Sequence, residues 1–257
     1  MRIVLVLTVL FCTGCALHRF EAERLGTLAP PAAPLVIDGT AAIQMDAARL
    51  ELTRQYFQLH APALDLRAPF RMEPKVVVVH YTAIPTLDGT LRTFRAPAID
   101  AGRELVAANG RLNVGIQFVV DRDGRIHRLF PETTMVRHVI GLNHVAIGIE
   151  NVGSEDISPA QLAGRVGNDG NGRQLTPAQL EANVALIRML KARHPSLVWL
   201  VGHQEYRDFE DPRHPGNALF VEAVPGYRTE KIDPGKRFLH ELRRRLKAAD
   251  RPGSRGR

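Results

Sequence analysis

Pro74-Lys75-Val76-Val77-Val78-Val79-His80-Tyr81-Thr82 is the stretch on which the fold turns. Four consecutive valines favour extended backbone, because β-branched side chains pack well on a pleated surface. A run without polar alternation needs cover on both faces, which predicts a central strand with layers on either side. Pro74 lacks a donor and marks the strand's entry. The run then delivers a polar side chain, His80, to the strand's end.

Working outward, the same grammar recurs. Val114 to Val120 reads as a strand, Asp121-Arg122-Asp123-Gly124 as a hairpin turn, and Arg125 to Phe130 as the returning partner. Val145 to Val152 and Leu197 to Val201 read as further strands, the latter running into Gly202-His203. Helices are expected over Ala41 to Leu59, Leu91 to Asn109 (Pro97 weighing against its middle), Thr176 to about Arg193, and Gly235 to Ala249. Thr176-Pro177-Ala178-Gln179 carries a cap, a first-turn proline and a residue able to reach back. Ser154 to Arg173 is polar and Gly-rich and reads as loop. This order predicts an α/β fold: a single domain with a central mixed β-sheet flanked by helices.

The chain of 257 residues is 45% hydrophobic and 24% charged, which excludes disordered and fibrous classes. A net charge of +7 suits an anionic partner, but the excess gathers near the end, from Arg243 to Arg257. With no interleaved aromatics for base stacking, nucleic acid is not expected as a partner. At the other end, Met1-Arg2 and the apolar run Ile3 to Phe11 make a secretory signal too short to span a bilayer. Cys12-Thr13-Gly14-Cys15 follows, and it resembles the bacterial lipoprotein signal. That resemblance implies cleavage before Cys15 and its lipidation, although Cys12 stands where an aliphatic residue is usual. Ala16 in the next position implies the periplasmic face of the outer membrane. Both cysteines lie here, so the remaining chain has no thiol for a disulfide or a metal. The expected organisation is a signal over 1–15, a tether over 16–40 containing the Pro/Ala stretch Leu28 to Leu35, an N-terminal helical extension over 41–72, a catalytic domain over 73–249 and a basic tail over 250–257.

The candidate chemistry is a set, since a single histidine at a strand end is commonly structural. His80 and His203 each end an expected strand, and Asp233 precedes the last helix in Lys231-Ile232-Asp233-Pro234-Gly235. Strand ends on one edge of an α/β sheet are where sites gather. Two imidazoles and a carboxylate form a donor set that zinc accepts, with a fourth position left for water. Residues 204–232 contain rival ligands in Asp208, Glu210, Asp211 and His214, with Asp211-Pro212 the main competitor.

Five features in this order resemble the zinc-dependent N-acetylmuramoyl-L-alanine amidases, a family that includes phage lysozyme-type amidases and the peptidoglycan recognition proteins. They are the hydrophobic strand ending in His80-Tyr81-Thr82, the hairpin at Asp121 to Gly124, Ile147-Gly148-Ile149-Glu150, Gly202-His203, and Lys231 to Gly235. The resemblance spans about Val76 to Phe238. It implies Zn2+ on His80, His203 and Asp233, catalytic roles for Glu150 and Lys231, and groove positions for His138 and Asn143. It also implies peptidoglycan or muropeptides as substrate, cut at the amide between N-acetylmuramic acid and L-alanine. The alternative is a non-catalytic peptidoglycan-binding lipoprotein of the same fold. Two departures stand out. Gln117 occupies a position where many relatives have His or Tyr, and residues 204–232 form a long insert between the second and third ligands that could wall the groove.

Overall fold

The computed structural model describes residues 20–99, 107–165 and 172–248. In chain order the strands are β1 (Glu23–Arg24), β2 (Ile37–Asp38), β3 (Val76–Tyr81), β4 (Phe118–Val120), β5 (Ile126–Arg128), β6 (Ala146–Asn151) and β7 (Trp199–Gly202). The helices are α1 (Ala47–His60), α2 (Leu87–Arg95), α3 (Pro159–Leu162), α4 (Pro177–Arg193) and α5 (Lys236–Ala248), with 3-10 turns at His203–Glu210 and Asn217–Leu219. All seven strands form one sheet in the order β1-β7-β3-β6-β4-β5-β2. The β7-β3, β3-β6, β6-β4 and β5-β2 pairs are parallel, and β1-β7 and β4-β5 are antiparallel. The chain is thus a single-domain α/β fold on a mixed sheet.

The four valines sit at the sheet's centre and are fully buried, as two-sided cover requires. Side chains alternate across a strand, so the run splits between two layers. Val77 and Val79 join a core with Ile187 and Leu190 of α4 and Phe238 and Leu242 of α5. Val76 and Val78 join a second core with Val201, Leu142, Tyr206 and Phe209. His80 continues the second set, so it emerges on the face opposite α4 and α5.

Helix boundaries follow their caps. α4 runs from Pro177 to Arg193, with Thr176 and Gln179 forming a reciprocal capping box. α1 starts at Ala47 rather than Ala41, because the Asp46 side chain accepts from the Arg49 amide. The helix expected over Leu91 to Asn109 instead spans Leu87 to Arg95. Thr86 caps its start, and buried Arg49 takes the carbonyls of Phe94, Arg95 and Ala96 at its end, just before Pro97. Residues 100–106 of that expectation lie outside the described residues. Within the expected loop 154–173, Pro159–Leu162 forms α3 on a Ser158–Gln161 capping box.

The segment read as a tether differs most. Glu23 and Arg24 pair with Leu200 and Trp199 on one sheet edge, and Ile37 and Asp38 pair with Ile126 and His127 on the other. Asp208 secures the first contact by accepting from the amides of Glu21 and Ala22, at 2.6 and 2.8 Å. Two-residue strands are too short to show a period, so proline content alone suggested a free linker. Tyr56 and Phe57 of the supposed extension pack in the same core as Val77. The basic tail 250–257 and Cys15 lie outside the described residues.

Candidate metal and catalytic site

Three ligand atoms converge at the ends of β3 and β7. Nδ1 of His80 lies 2.9 Å from Nδ1 of His203 and 3.2 Å from Oδ2 of Asp233, and Nδ1 of His203 lies 3.1 Å from that oxygen. No other group of three or more His, Cys, Asp or Glu side chains able to hold a metal occurs among the described residues. Ligands around a tetrahedral zinc at its usual bond lengths stand about 3.3 Å apart, so the triangle has the size of a metal's coordination face.

The hydrogen-bond chain behind His80 sets its tautomer. Nε2 of His138 faces the carbonyl of Ala146 at 3.2 Å, and a carbonyl only accepts, so that nitrogen carries the proton. Nδ1 of His138 is then an acceptor, and Nε2 of His80 donates to it at 3.1 Å. In that tautomer Nδ1 of His80 turns a lone pair toward His203 and Asp233, which is the form a metal binds. Burial, followed by the influence of His80, holds His138 well below the ordinary histidine range. The same two causes lower His203 to about 4. Burial pushes the Asp233 carboxyl up, but the neighbouring His203 and His80 outweigh it and hold the group below its usual range. Two imidazoles beside a carboxylate suit a divalent cation.

The motif glycines make room for this arrangement. A Cβ on Gly148 would fall 2.1 Å from Cδ1 of Ile116 and 2.9 Å from Nδ1 of His138. The glycine preceding Glu150 thus admits the ring that orients His80. A Cβ on Gly202 would fall 2.7 Å from Leu239 and 3.1 Å from Pro234, so the segment carrying Asp233 closes tightly on the β7 end. The amide of Gln204 donates to the Asp233 carbonyl at 3.2 Å, and Asp156 accepts from the amides of Arg237 and Phe238, both at 2.9 Å. Gly235, at φ +97°, gives the backbone turn that lets Asp156 approach.

Glu150 is the register partner of His80 across β3 and β6, so both side chains leave the same face side by side. Its Oε2 is buried with no hydrogen-bond partner. Burial raises its carboxyl to about 7; Asp233 also raises it, while His80 and Lys231 oppose. Lys231 is exposed, and among the described residues its ammonium has no protein hydrogen bond or ion pair. His80, His138, Glu150, His203, Lys231 and Asp233 line one cleft of about 570 Å³, with Ile84, Phe94 and Val114 forming an apolar wall. A larger cavity of about 710 Å³ lies between the N-terminal segment and α5; it holds none of these groups and is crossed by ion pairs such as Arg243–Glu205.

Other sequence candidates have different places. Asn143 is spent internally: its Oδ1 accepts from the amides of His138 and Val139, both at 2.8 Å, and its Nδ2 donates to Tyr56 at 3.2 Å. It holds the loop that carries His138. Gln117 bridges the Thr134 carbonyl and the Gly148 amide at 2.8 and 2.7 Å, so its amide is occupied within the sheet. The rival ligands are engaged elsewhere: Asp208 with Glu21 and Ala22, Glu210 with Arg228, Asp211 with Arg213, and His214 with the Gly216 amide. Asp156, which the sequence reading did not single out, carried no local signal because its role is a cap across the fold.

The sequence profile described as N-acetylmuramoyl-L-alanine amidase matches residues 70–236. No curated protein matches the chain. Among solved structures, the N-acetylmuramoyl-L-alanine amidase LysC from Clostridium intestinale URNW is 24% identical, with 58% of this chain and 85% of that one covered and a TM-score of 0.36. Drosophila PGRP-LB is 20% identical, with coverage of 58% and 78% and a TM-score of 0.36. AmpDH3 from Pseudomonas aeruginosa, solved in complex with anhydromuramic pentapeptide, is 19% identical, with coverage of 71% and 64% and a TM-score of 0.37.

Proposed function

Because the chain belongs to the N-acetylmuramoyl-L-alanine amidase family, we propose that it hydrolyses the amide between N-acetylmuramic acid and L-alanine in peptidoglycan or its fragments, using zinc held by His80, His203 and Asp233. The observation that carries this reading is the convergence of three ligand atoms beside a partnerless carboxylate oxygen in one cleft. When bound, zinc would polarise the carbonyl and acidify water at the site.

The remaining work falls to side chains. Glu150 takes a proton from the attacking water and returns it to the amide nitrogen as the C–N bond breaks, leaving a lactyl carboxylate and a free amine. A carboxyl raised to about 7 is suited to both halves of that transfer. Lys231, on the same cleft, offers a cation to the carbonyl oxygen as it gains negative charge. His138 keeps His80 in its ligating tautomer.

Mass spectrometry of products from defined muropeptides, with and without chelator, tests the reading. Zinc-loaded protein should release the sugar and the intact peptide, and chelator should stop it. Uncut muropeptides and sacculi in the presence of stoichiometric zinc would favour the binding-only alternative. The reading extends to location: Cys15 carries a lipid and holds the enzyme at the periplasmic face of the outer membrane. Its support is the signal-like sequence alone. A Cys15→Ala chain that still fractionates with outer membrane would overturn this placement.

A further inference from the structure

Behind His138 and His203 the cleft continues into an annex of about 120 Å³, and Val114, His138, His203 and Lys231 line both spaces. Its far wall is built by Tyr227 and Thr229 of the 204–232 insert and by Tyr56 of α1. The hydrogen-bond inventory of that wall is one-sided. The Tyr56 hydroxyl accepts from Nδ2 of Asn143 at 3.2 Å, which leaves its own proton to donate. Burial holds that phenol protonated, far above its ordinary range. The Tyr227 hydroxyl accepts from Nη2 of Arg137 at 3.0 Å and likewise keeps a proton. Oγ1 of Thr229 is buried with no partner.

Positive charge accompanies these donors. Arg137 is buried and stacks over Tyr56 at 4.8 Å, with Nη1 donating to the carbonyls of Gly110 and Leu112, both at 2.8 Å. It orients Tyr227 and adds its field to that of Lys231. No carboxylate lines the annex. Glu222, which acts on Tyr56 electrostatically, is engaged by Nδ1 of His60 and the Val224 amide, both at 2.8 Å.

A space whose lining side chains offer protons and positive charge is complementary to an anion. We propose that the annex is a carboxylate subsite, which receives a short carboxylate-bearing arm of the same substrate whose amide lies in the cleft. The volume suits a carboxyl group and its adjoining carbon better than a sugar ring. The insert then sets specificity through Tyr227 and Thr229. This inference rests on the amidase reading.

The test uses two synthetic muramyl peptides that differ only in whether one stem-peptide arm ends in a carboxylate or a carboxamide. Zinc-loaded wild type should show kcat/KM about tenfold or more higher for the carboxylate form, mostly through KM, as a charge-assisted hydrogen bond would give. In Tyr227→Phe/Thr229→Val the ratio should fall toward one, and Thr229→Val alone should fall between. Equal kcat/KM for the two peptides in wild type, or an unchanged ratio in both variants, overturns the subsite. Calorimetry with the same pair separates this from failure of the amidase reading. If neither peptide is cleaved but the carboxylate form binds more tightly, the subsite stands and the catalytic reading falls. Equal binding of the two removes the subsite.

Discussion

His80 and Asp233 reach the candidate metal site from opposite kinds of structure. His80 sits on the central strand, in register with Glu150, and β3, β6 and β7 together fix where its ring can go. Asp233 sits outside any strand or helix at the end of a long insert, and contacts remote in sequence hold it: the Gln204 amide, the Asp156 cap and the close approach allowed at Gly202. Both arrive within hydrogen-bonding distance of the same point. A strand positions a ligand through register, whereas a loop needs several independent ties to reach comparable precision.

The largest expected effect comes from removing the loop-borne ligand. Asp233→Ala should reduce zinc from stoichiometric to trace and abolish amide hydrolysis, measured by elemental analysis alongside product formation. If zinc stays bound, Asp233 is not the third ligand. Glu150→Gln should keep zinc but lower the rate by roughly a hundred- to ten-thousandfold, the range spanned by general acid–base groups. The same substitution should affect stability in the opposite sense. Folding raises the Glu150 carboxyl from its ordinary 4.5 to about 7, so the ionised form weakens the fold. Stability is lost as pH rises from the unfolded value through the folded one, and it stays lost above. Metal-free Glu150→Gln should therefore match wild type near pH 4 and exceed it by about 3 kcal/mol at pH 8. Denaturant melts at the two pH values check this.

Next come the supports. His138→Phe removes the acceptor for His80, and Asp156→Ala loosens the segment bearing Asp233; each should weaken zinc affinity about ten- to a hundredfold in competition with a chelator. If only Asp156→Ala has an effect, strand register alone suffices for His80, and the contrast between the two regions sharpens. Smallest is Gly148→Ala, whose methyl would press on Ile116 and the His138 ring. It should cost about 1–3 kcal/mol of stability, with a modest loss of zinc affinity as the ring is displaced.

The same contrast explains what the sequence made legible. Four valines admit little besides a central strand, and a histidine after such a run must lie at its end, so β3, β7 and the histidines at their ends could be read locally. The capping box at Thr176 located α4 for a similar reason. Asp233 could be named only through its neighbouring motif, because Asp208, Glu210, Asp211 and His214 are chemically equal rivals until their partners are known. Asn143 and His138 both line the annex, yet one is consumed by backbone amides and the other orients His80, and residue type does not separate those fates. β1 and β2 were missed because each has two residues, below the length at which alternation carries information.

The fastening of Glu21 and Ala22 by Asp208 has a consequence for reach. β1 runs antiparallel to β7, so the chain upstream of Glu23 heads toward the Gly202 end, the edge that bears His203. Five residue steps separate Cys15 from Phe20, the first described residue, and fully extended they span no more than about 18 Å. A lipid on Cys15 would then act as a short leash attached near the working edge of the molecule. Such an enzyme would sweep a thin shell above the bilayer at high local concentration, and wall beyond that radius would be out of range however abundant it was.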